Sequence, residues 1–173
     1  LLLYNNGFDP VMLDHRGYDH GSWVPLSLLY PKADIPIVQL SVQPEQSTLH
    51  HYRLGQALRP LVDEGFLVMG SGAITHNLAE LFSGWGLRYR RDSDELAWAR
   101  TFADWVAEKI SAGDDEALIA YRAKAPYAAQ NHPSEEHYLP LLVALGASQN
   151  QKGWRLHQST EFALLAMDAF AFE

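Results

Sequence analysis

Histidine is the side chain best able to do chemistry in this sequence, which contains eight histidines and no cysteine. His20 stands between an aspartate and a glycine, and His76 comes shortly after a Gly-Ser-Gly run. His132 and His137 flank a Pro-Ser-Glu-Glu run. A neutral imidazole binds divalent metal ions and exchanges protons near pH 7. These four positions are therefore the candidates for metal binding and for acid/base catalysis.

Each candidate also has a simpler structural interpretation. His20 would act as an acid/base if Asp19 biases its pKa, or it would only bond the local backbone, as polar turn residues commonly do. His76 follows a predicted strand and a glycine turn, where α/β proteins present side chains to a cleft. His132 and His137 are five residues apart, which is not the i, i+4 spacing of a helical two-histidine zinc site. Either of them could ligate a metal ion, and both need not.

The composition excludes several classes of function. The 173-residue chain has a formal net charge of -8 and no visible basic patch, so nucleic acid is not an expected partner. The absence of cysteine excludes disulfides, thiolate metal sites and a cysteine nucleophile, and it fits a reducing cytoplasm. The longest near-apolar run, residues 162–167, is too short to cross a membrane. No G-x-S-x-G, G-x-G-x-x-G or P-loop pattern is present, so histidines and carboxylates remain the expected functional groups.

The hydrophobic pattern predicts an α/β fold, which we expect to be a three-layer α/β/α domain around a central mixed, mostly parallel sheet. Strands are predicted at residues 1–10, 35–42, 66–69 and 162–167. Helices are predicted at residues 48–64 after a Ser47 cap, 93–110 with Ser93 as cap, 115–124 after an Asp114 cap, and 134–145 with Ser134 as cap and Gly146 beyond its end.

Residues 1–173 are expected to form a single catalytic domain. The opening Leu-Leu-Leu-Tyr run is typical of an interior strand, and no initiator methionine precedes it, so we expect an N-terminal segment to be missing. Trp85 and Trp154 are candidates for the contact surface of a homo-oligomer, with partial burial in the core as the alternative.

Several blocks along the chain resemble those of the DOPA-type extradiol dioxygenases, which belong to the class III, or LigB-like, ring-cleavage superfamily. Residues 18–26 (YDHGSWVPL) resemble a "DHG-x-W-x-PL" block, and residues 35–41 (IPIVQLS) are similar to the strand that follows it. Residues 70–78 (GSGAITHNL) resemble a "GSG…HNL" block, and residues 131–142 (NHPSEEHYLPLL) resemble an "HP…H-x-LPL" block. The ending at residues 167–172 (MDAFAF) is also similar, so the resemblance spans nearly the whole chain.

This resemblance implies a mononuclear non-haem Fe(II) enzyme, sometimes found loaded with zinc, that opens a catechol ring beside its hydroxyls with O2. It implies that His20 is an acid/base near the metal, and that His76 acts as a base or approaches the metal. His137 or His132 would supply a ligand where more distant relatives have a glutamate. We prefer His137, because the helix predicted after it would hold it rigidly. His20 and His76 would then share the proton transfers that a catechol requires, since histidine titrates in the right range.

Two further metal histidines of the family lie in N-terminal "HG-x-P" and "S-x-HW" blocks, which this sequence lacks. The sequence is also short between Pro10 and Val11, where relatives carry a helical stretch. The resemblance therefore implies missing N-terminal and internal segments and an incomplete set of metal ligands. The alternative function is a zinc- or metal-binding homologue without oxygenase activity.

Overall fold

The computed structural model describes residues 1–83, 86–150 and 152–173. Along the chain, the described elements are α1 (Leu2–Asn5), α2 (His20–Leu29), α3 (Thr48–Asp63), α4 (Leu78–Leu81), β1 (Phe82–Ser83), β2 (Gly86–Leu87), α5 (Ala97–Ala112), α6 (Asp115–Ile119), α7 (Tyr121–Lys124), α8 (Ala128–Asn131), α9 (Leu139–Ala147), β3 (Gly153–His157), β4 (Thr160–Glu161), β5 (Leu165–Ala166) and β6 (Ala169–Phe172). None of the described helices combines the length and apolar character needed to cross a membrane. Trp85 lies outside the described residues, whereas Trp154 is about half exposed.

Helices α3 and α9 pack against each other at the centre of the fold. Helix α3 begins after Ser47, whose hydroxyl accepts a hydrogen bond from the His50 amide at 3.1 Å, as predicted for an N-cap. Helix α9 is apolar around its whole circumference, which is typical of a helix buried on all sides. Helix α5 also contributes side chains to the hydrophobic core. The largest fully buried side chains of this core include Phe102, Ile110, Leu118, Tyr121, Tyr138, Leu139, Leu142 and Leu145.

The described strands form three two-stranded antiparallel pairs, β1 with β2, β3 with β6 and β4 with β5. The chain therefore mixes helices and sheet as predicted, but the described residues contain no central parallel sheet. Residues 35–42 and 66–69, which were predicted as strands, show no strand pairing in the described part of the chain. A strand needs a neighbouring strand for its backbone hydrogen bonds, and an apolar run alone does not specify that neighbour.

The last helix begins later than its sequence pattern predicts. It starts at Leu139 rather than Ser134, so Pro140 occupies its first turn. Proline is well tolerated there, whereas in the interior of the predicted helix it would remove a hydrogen bond and clash with the preceding turn. Ser134 instead donates a hydrogen bond to Glu136 at 2.8 Å. His137 consequently precedes the helix and lies in the segment that leads into it.

Other predicted boundaries also shift. The helix expected from Ser93 begins at Ala97, because the Ser93 hydroxyl accepts a hydrogen bond from the Arg90 amide and so stabilises an earlier turn. The helix expected at residues 115–124 is interrupted at Ala120, although Asp114 caps its first part as predicted.

Near the ends of the chain, one strand prediction is wrong and another is confirmed only in part, at Leu165–Ala166. Residues 1–10 include the short helix α1, because a brief apolar run fits a helix as well as a strand. Residues 162–167 were predicted as a single strand, but Phe162 and Ala163 have φ values of 51° and 66°. This backbone turns the chain between β4 and β5, so the predicted strand becomes one arm of a hairpin.

Gly55 allows α3 and α9 to approach closely. A Cβ atom added at Gly55 would lie 2.1 Å from the Val143 carbonyl oxygen and 2.9 Å from the Ala147 amide nitrogen. We expect Gly55→Ala to lower the free energy of unfolding by about 2 kcal/mol, because overpacking against backbone outweighs the helix propensity that favours alanine by about 1 kcal/mol. Urea denaturation would measure this, with the exposed Gln56→Ala as control. Equal stability of Gly55→Ala and the wild type would contradict the close packing.

Candidate active site

His76 and His137 lie face to face. Their ring centroids are 3.4 Å apart and their planes differ by 13°. Both side chains are partly buried. Burial, together with the nearby His137, lowers the pKa of His76. The neutral form of His76 is therefore favoured, which leaves a ring nitrogen available as a metal ligand or proton acceptor.

Glu136 completes a group of three potential metal ligands. One ligand atom from each of His76, Glu136 and His137 lies within 4.8 Å of the others. Burial alone would raise the pKa of Glu136, but its hydrogen bonds with its own amide and with Ser134, together with nearby His137, lower it. The carboxylate form that binds metal ions is thus favoured.

The His137 Nδ1 atom tests whether a metal ion fits this group. It is buried, it lies 3.4 Å from Glu136 Oε1, and it has no hydrogen-bond partner of normal geometry among the described residues. Buried polar atoms are rarely left without a partner. Two imidazoles and a carboxylate suit Fe(II) and zinc, and a two-histidine, one-carboxylate set with open positions is typical of non-haem Fe(II) oxygenases. The residues present therefore fit a divalent metal ion.

Backbone contacts bring these distant residues together. The Ala73 amide donates to the His137 carbonyl at 3.0 Å, and the His76 amide donates to the Asn131 carbonyl at 2.9 Å. A Cβ atom at Gly72 would lie 2.2 Å from the His137 carbonyl oxygen. Gly72 thus permits the close approach of this segment to the His137 backbone, and that approach places His76 against His137.

His20 lines a cleft together with two members of the same group, Glu136 and His137. It is the first residue of α2 and is exposed to solvent. A cleft of about 640 Å³ is lined by His20, Glu136 and His137, together with apolar side chains that include Val24 and Met167. This volume falls in the range of pockets that hold small organic ligands. The cleft is therefore lined both by a proton-exchanging group and by potential metal ligands.

Gln39 fixes the start of α2. Its Oε1 atom accepts a hydrogen bond from the Asp19 amide at 2.9 Å and from the Ser22 hydroxyl at 2.7 Å. These two bonds lie on either side of His20 in sequence. The segment at residues 35–42 therefore holds the first turn of the helix that carries His20.

His132 lies away from the cleft, in the core. It is fully buried, its Nε2 atom lies 2.7 Å from the Ile74 carbonyl oxygen, and its ring meets Phe102, Tyr121 and Tyr138 edge-on. This geometry requires the Nε2–H tautomer, which donates to the carbonyl. Burial lowers the pKa of His132 to about 4. The ring is thus held neutral beneath the segment that carries His76.

The burial of His132 makes stability sensitive to acid. Its pKa falls from an ordinary value of 6.5 to about 4 in the folded chain, so its stabilising contribution is complete above pH 6.5 and is lost as the pH falls towards 4. We expect this group to remove about 3 kcal/mol of unfolding free energy over that interval. Urea denaturation of metal-free protein from pH 7 to pH 4 would measure the loss. His132→Gln, which keeps an amide donor for Ile74 but cannot titrate, should lack this component. Parallel pH profiles for the two proteins would contradict the assignment.

Comparison with known proteins places the chain in a family. Residues 2–171 match the family model described as the catalytic LigB subunit of aromatic ring-opening dioxygenase. The chain belongs to this LigB family. It is 42% identical to a 4,5-DOPA dioxygenase extradiol of Beta vulgaris and 38% identical to one of Portulaca grandiflora, over 99% of this chain in both cases. It spans 62% of the length of each of these relatives.

A solved structure has a similar fold. An uncharacterized protein from Escherichia coli K12 matches with a TM-score of 0.76 and 34% sequence identity, over 93% of this chain and 66% of that protein. The LigB-like family predicted from the sequence blocks is thus confirmed, and so is the relation to proteins named as extradiol dioxygenases.

The LigB chain brings some of its predicted site residues together and separates another. His76 and His137 are in contact, and His20 faces the same cleft as His137. His132, the other predicted ligand, packs in the core behind Ile74. Glu136 was not among the predicted site residues, because an acidic residue near a predicted helix start is explained by the helix dipole alone. Its position beside His137 in sequence was the signal that could have identified it.

Proposed function

We propose that this chain is part of an Fe(II)-dependent dioxygenase that opens the ring of a catechol beside its hydroxyls. The observation that carries the proposal is the grouping of His76, Glu136 and His137, of which Glu136 and His137 line a cleft that His20 also lines. Family membership and the names of the relatives support the same reaction. The substrates that we propose are O2 and an aromatic diol, with DOPA as the first candidate because of the relatives' names.

In this proposal His76, Glu136 and His137 hold the metal ion. Fe(II) held by these residues would supply Lewis acidity towards the catechol and one-electron chemistry with O2. The carboxylate of Glu136 offsets part of the positive charge, and the neutral imidazoles supply nitrogen donors. His132 remains a predicted ligand only if the core around it rearranges, since its Nε2 atom already bonds the Ile74 carbonyl.

Proton transfer falls to His20. His76 would be a second proton acceptor only when its ring does not bind the metal ion, because a neutral imidazole has a single acceptor nitrogen. A catechol must lose a hydroxyl proton to bind as an anion, and a neutral imidazole accepts a proton near pH 7. The exposed His20 ring on the cleft wall could later return that proton to an oxygen of the opening ring. The apolar side chains of Val24 and Met167 line the same cleft and would pack against the substrate ring.

We further infer that residues 35–42 and 66–69 belong to a mostly parallel central sheet in a three-layer α/β/α domain. Side chains in both segments expose apolar surface, with Val38 at 84% and Leu67 at 71% exposure. Apolar β-branched and aliphatic side chains are usually buried, so this exposure is unusual. It is explained if neighbouring strands pack against these side chains. A single catalytic domain, a cytoplasmic location and a homo-oligomeric state stay predictions from the sequence.

An anaerobic reconstitution tests the proposed function. The 173-residue chain would be loaded with Fe(II) without oxygen, mixed with DOPA and then exposed to air. We expect a yellow ring-opened product, followed by visible absorbance and mass spectrometry. Tyrosine, which lacks the second hydroxyl, and the zinc-loaded chain should give none. Absence of product from a chain that retains bound iron would overturn the proposal and favour the metal-binding homologue without oxygenase activity.

A further inference from the structure

Thr75 connects the segment that carries His76 to the loop that leads to Met167, a residue that lines the cleft. Its side chain is 1% exposed. The hydroxyl donates to the Leu164 carbonyl at 2.6 Å and accepts from the Ala166 amide at 2.7 Å. The buried Thr75 hydroxyl therefore forms hydrogen bonds with two backbone groups of a distant loop, as donor to one and as acceptor from the other.

The loop to which Thr75 bonds is held in place by burial and by ion pairs. Leu164 and Ala166 are buried, and the next residue, Met167, lines the cleft. The Asp168 side chain is buried and lies 3.3 Å from Arg100 Nη1 and from Arg155 Nη2. A paired, buried carboxylate resists displacement, because moving it would leave an uncompensated charge. Thr75 is thus bonded to a fixed part of the fold.

The segment that carries His76 has other anchors on the side away from the cleft wall. His132 Nε2 donates to the Ile74 carbonyl, and the His76 amide donates to the Asn131 carbonyl. These bonds connect the segment to α8 and the residue after it. Thr75 supplies the side-chain connection in the opposite direction, towards Met167.

We propose that Thr75 is a positioning residue that sets the His76 ring against His137 and, through the same hydroxyl, holds the cleft wall at Met167. The consequence for metal binding rests on the proposed function, whereas the placement of the rings does not. Even residues that only orient metal ligands commonly change metal affinity 10- to 100-fold when replaced. A shift of the His76 backbone by a fraction of an ångström would move a ring stacked at 3.4 Å.

The test compares Thr75→Val, which has nearly the same shape but no hydroxyl, with Thr75→Ser, which keeps it. In the metal-free chain, NMR of the His76 and His137 ring protons reports the stacking directly through ring-current shifts. We expect Thr75→Val to move these resonances and to weaken Zn²⁺ binding, measured by titration, about 10-fold or more, and Thr75→Ser to restore both. Ile110→Val controls for loss of stability alone, since Ile110 is fully buried in the core cluster around α5.

Native ring resonances in Thr75→Val would overturn the inference, and so would a Thr75→Ser chain as altered as Thr75→Val. If the valine variant does not fold, Thr75→Cys provides the same comparison with a much weaker hydrogen-bonding group. The ring resonances are measured without metal or substrate, so this test does not depend on the proposed function. A wild-type chain that fails to cleave DOPA would reject the proposed function, but the NMR comparison would still decide the role of Thr75.

Discussion

Replacing His137 with alanine is expected to abolish ring cleavage and to lower the affinity of the chain for Fe(II) or Zn²⁺ at least 100-fold. His137 is one of three side chains whose ligand atoms lie within 4.8 Å of one another, and its buried Nδ1 atom lacks a hydrogen-bond partner of normal geometry among the described residues. Loss of a direct ligand should exceed the 10- to 100-fold effects seen for residues that only support ligands. Isothermal titration would measure the affinity, and visible absorbance the product.

The surface histidine His15 provides a matched control. It is exposed, and His15→Ala should bind metal and cleave substrate as the wild type does. Glu136→Gln separates charge from shape, because it keeps the size of the side chain and removes the anionic donor; we expect it to weaken binding in the same direction. Unchanged metal affinity in both His137→Ala and Glu136→Gln would reject the assignment of this group as the metal site.

The second large effect is expected at His20. His20→Gln should lower kcat about 10²- to 10⁴-fold while the metal content stays unchanged, because general acid/base groups contribute rate enhancements of that size. The structural basis is the position of His20 on the cleft wall, apart from the three grouped ligands. Glutamine retains hydrogen-bonding capacity and length but cannot carry a proton near pH 7.

Metal content and rate must be measured on the same His20→Gln sample. Iron analysis gives the first, and steady-state absorbance gives kcat and KM for DOPA. A fall in iron content would instead make His20 a metal ligand, and full activity with iron retained would remove it from the mechanism. Gln39→Ala provides an intermediate case, because it removes the acceptor for both the Asp19 amide and the Ser22 hydroxyl without altering the imidazole.

The sequence predicted most of the histidines in the candidate site, but it did not predict which neighbouring residues lie together with them. Local context made candidates of the histidines at positions 20, 76, 132 and 137, since glycine turns and helix starts are recognisable in sequence. The preference for His137 over His132 came from the family resemblance and from the helix predicted after His137. His132 has an equally suggestive context, immediately before Pro133, yet its ring is enclosed by Phe102, Tyr121 and Tyr138. Burial of one of two neighbouring histidines depends on which side of the segment faces the core, and that orientation is set by contacts with residues far away in sequence.

For the fold too, local features were predictable from the sequence and contacts between distant segments were not. The N-caps at Ser47 and Asp114 are local interactions between residues three positions apart, so the sequence determines them directly. The strand predictions at residues 35–42 and 66–69 depended on partners that a periodic pattern cannot identify.

By itself, the amino-acid sequence determined the family and the helices whose caps and apolar stripes are local, and it predicted histidine and carboxylate chemistry. Only the tertiary structure decided that His76 stacks on His137 beside Glu136, that His20 lines the same cleft as Glu136 and His137, and that His132 lies in the core. The physical reason is that these relations depend on backbone contacts between distant segments, such as Ala73 with His137 and Thr75 with Leu164. Contacts of that kind form only when the whole chain buries its apolar surface.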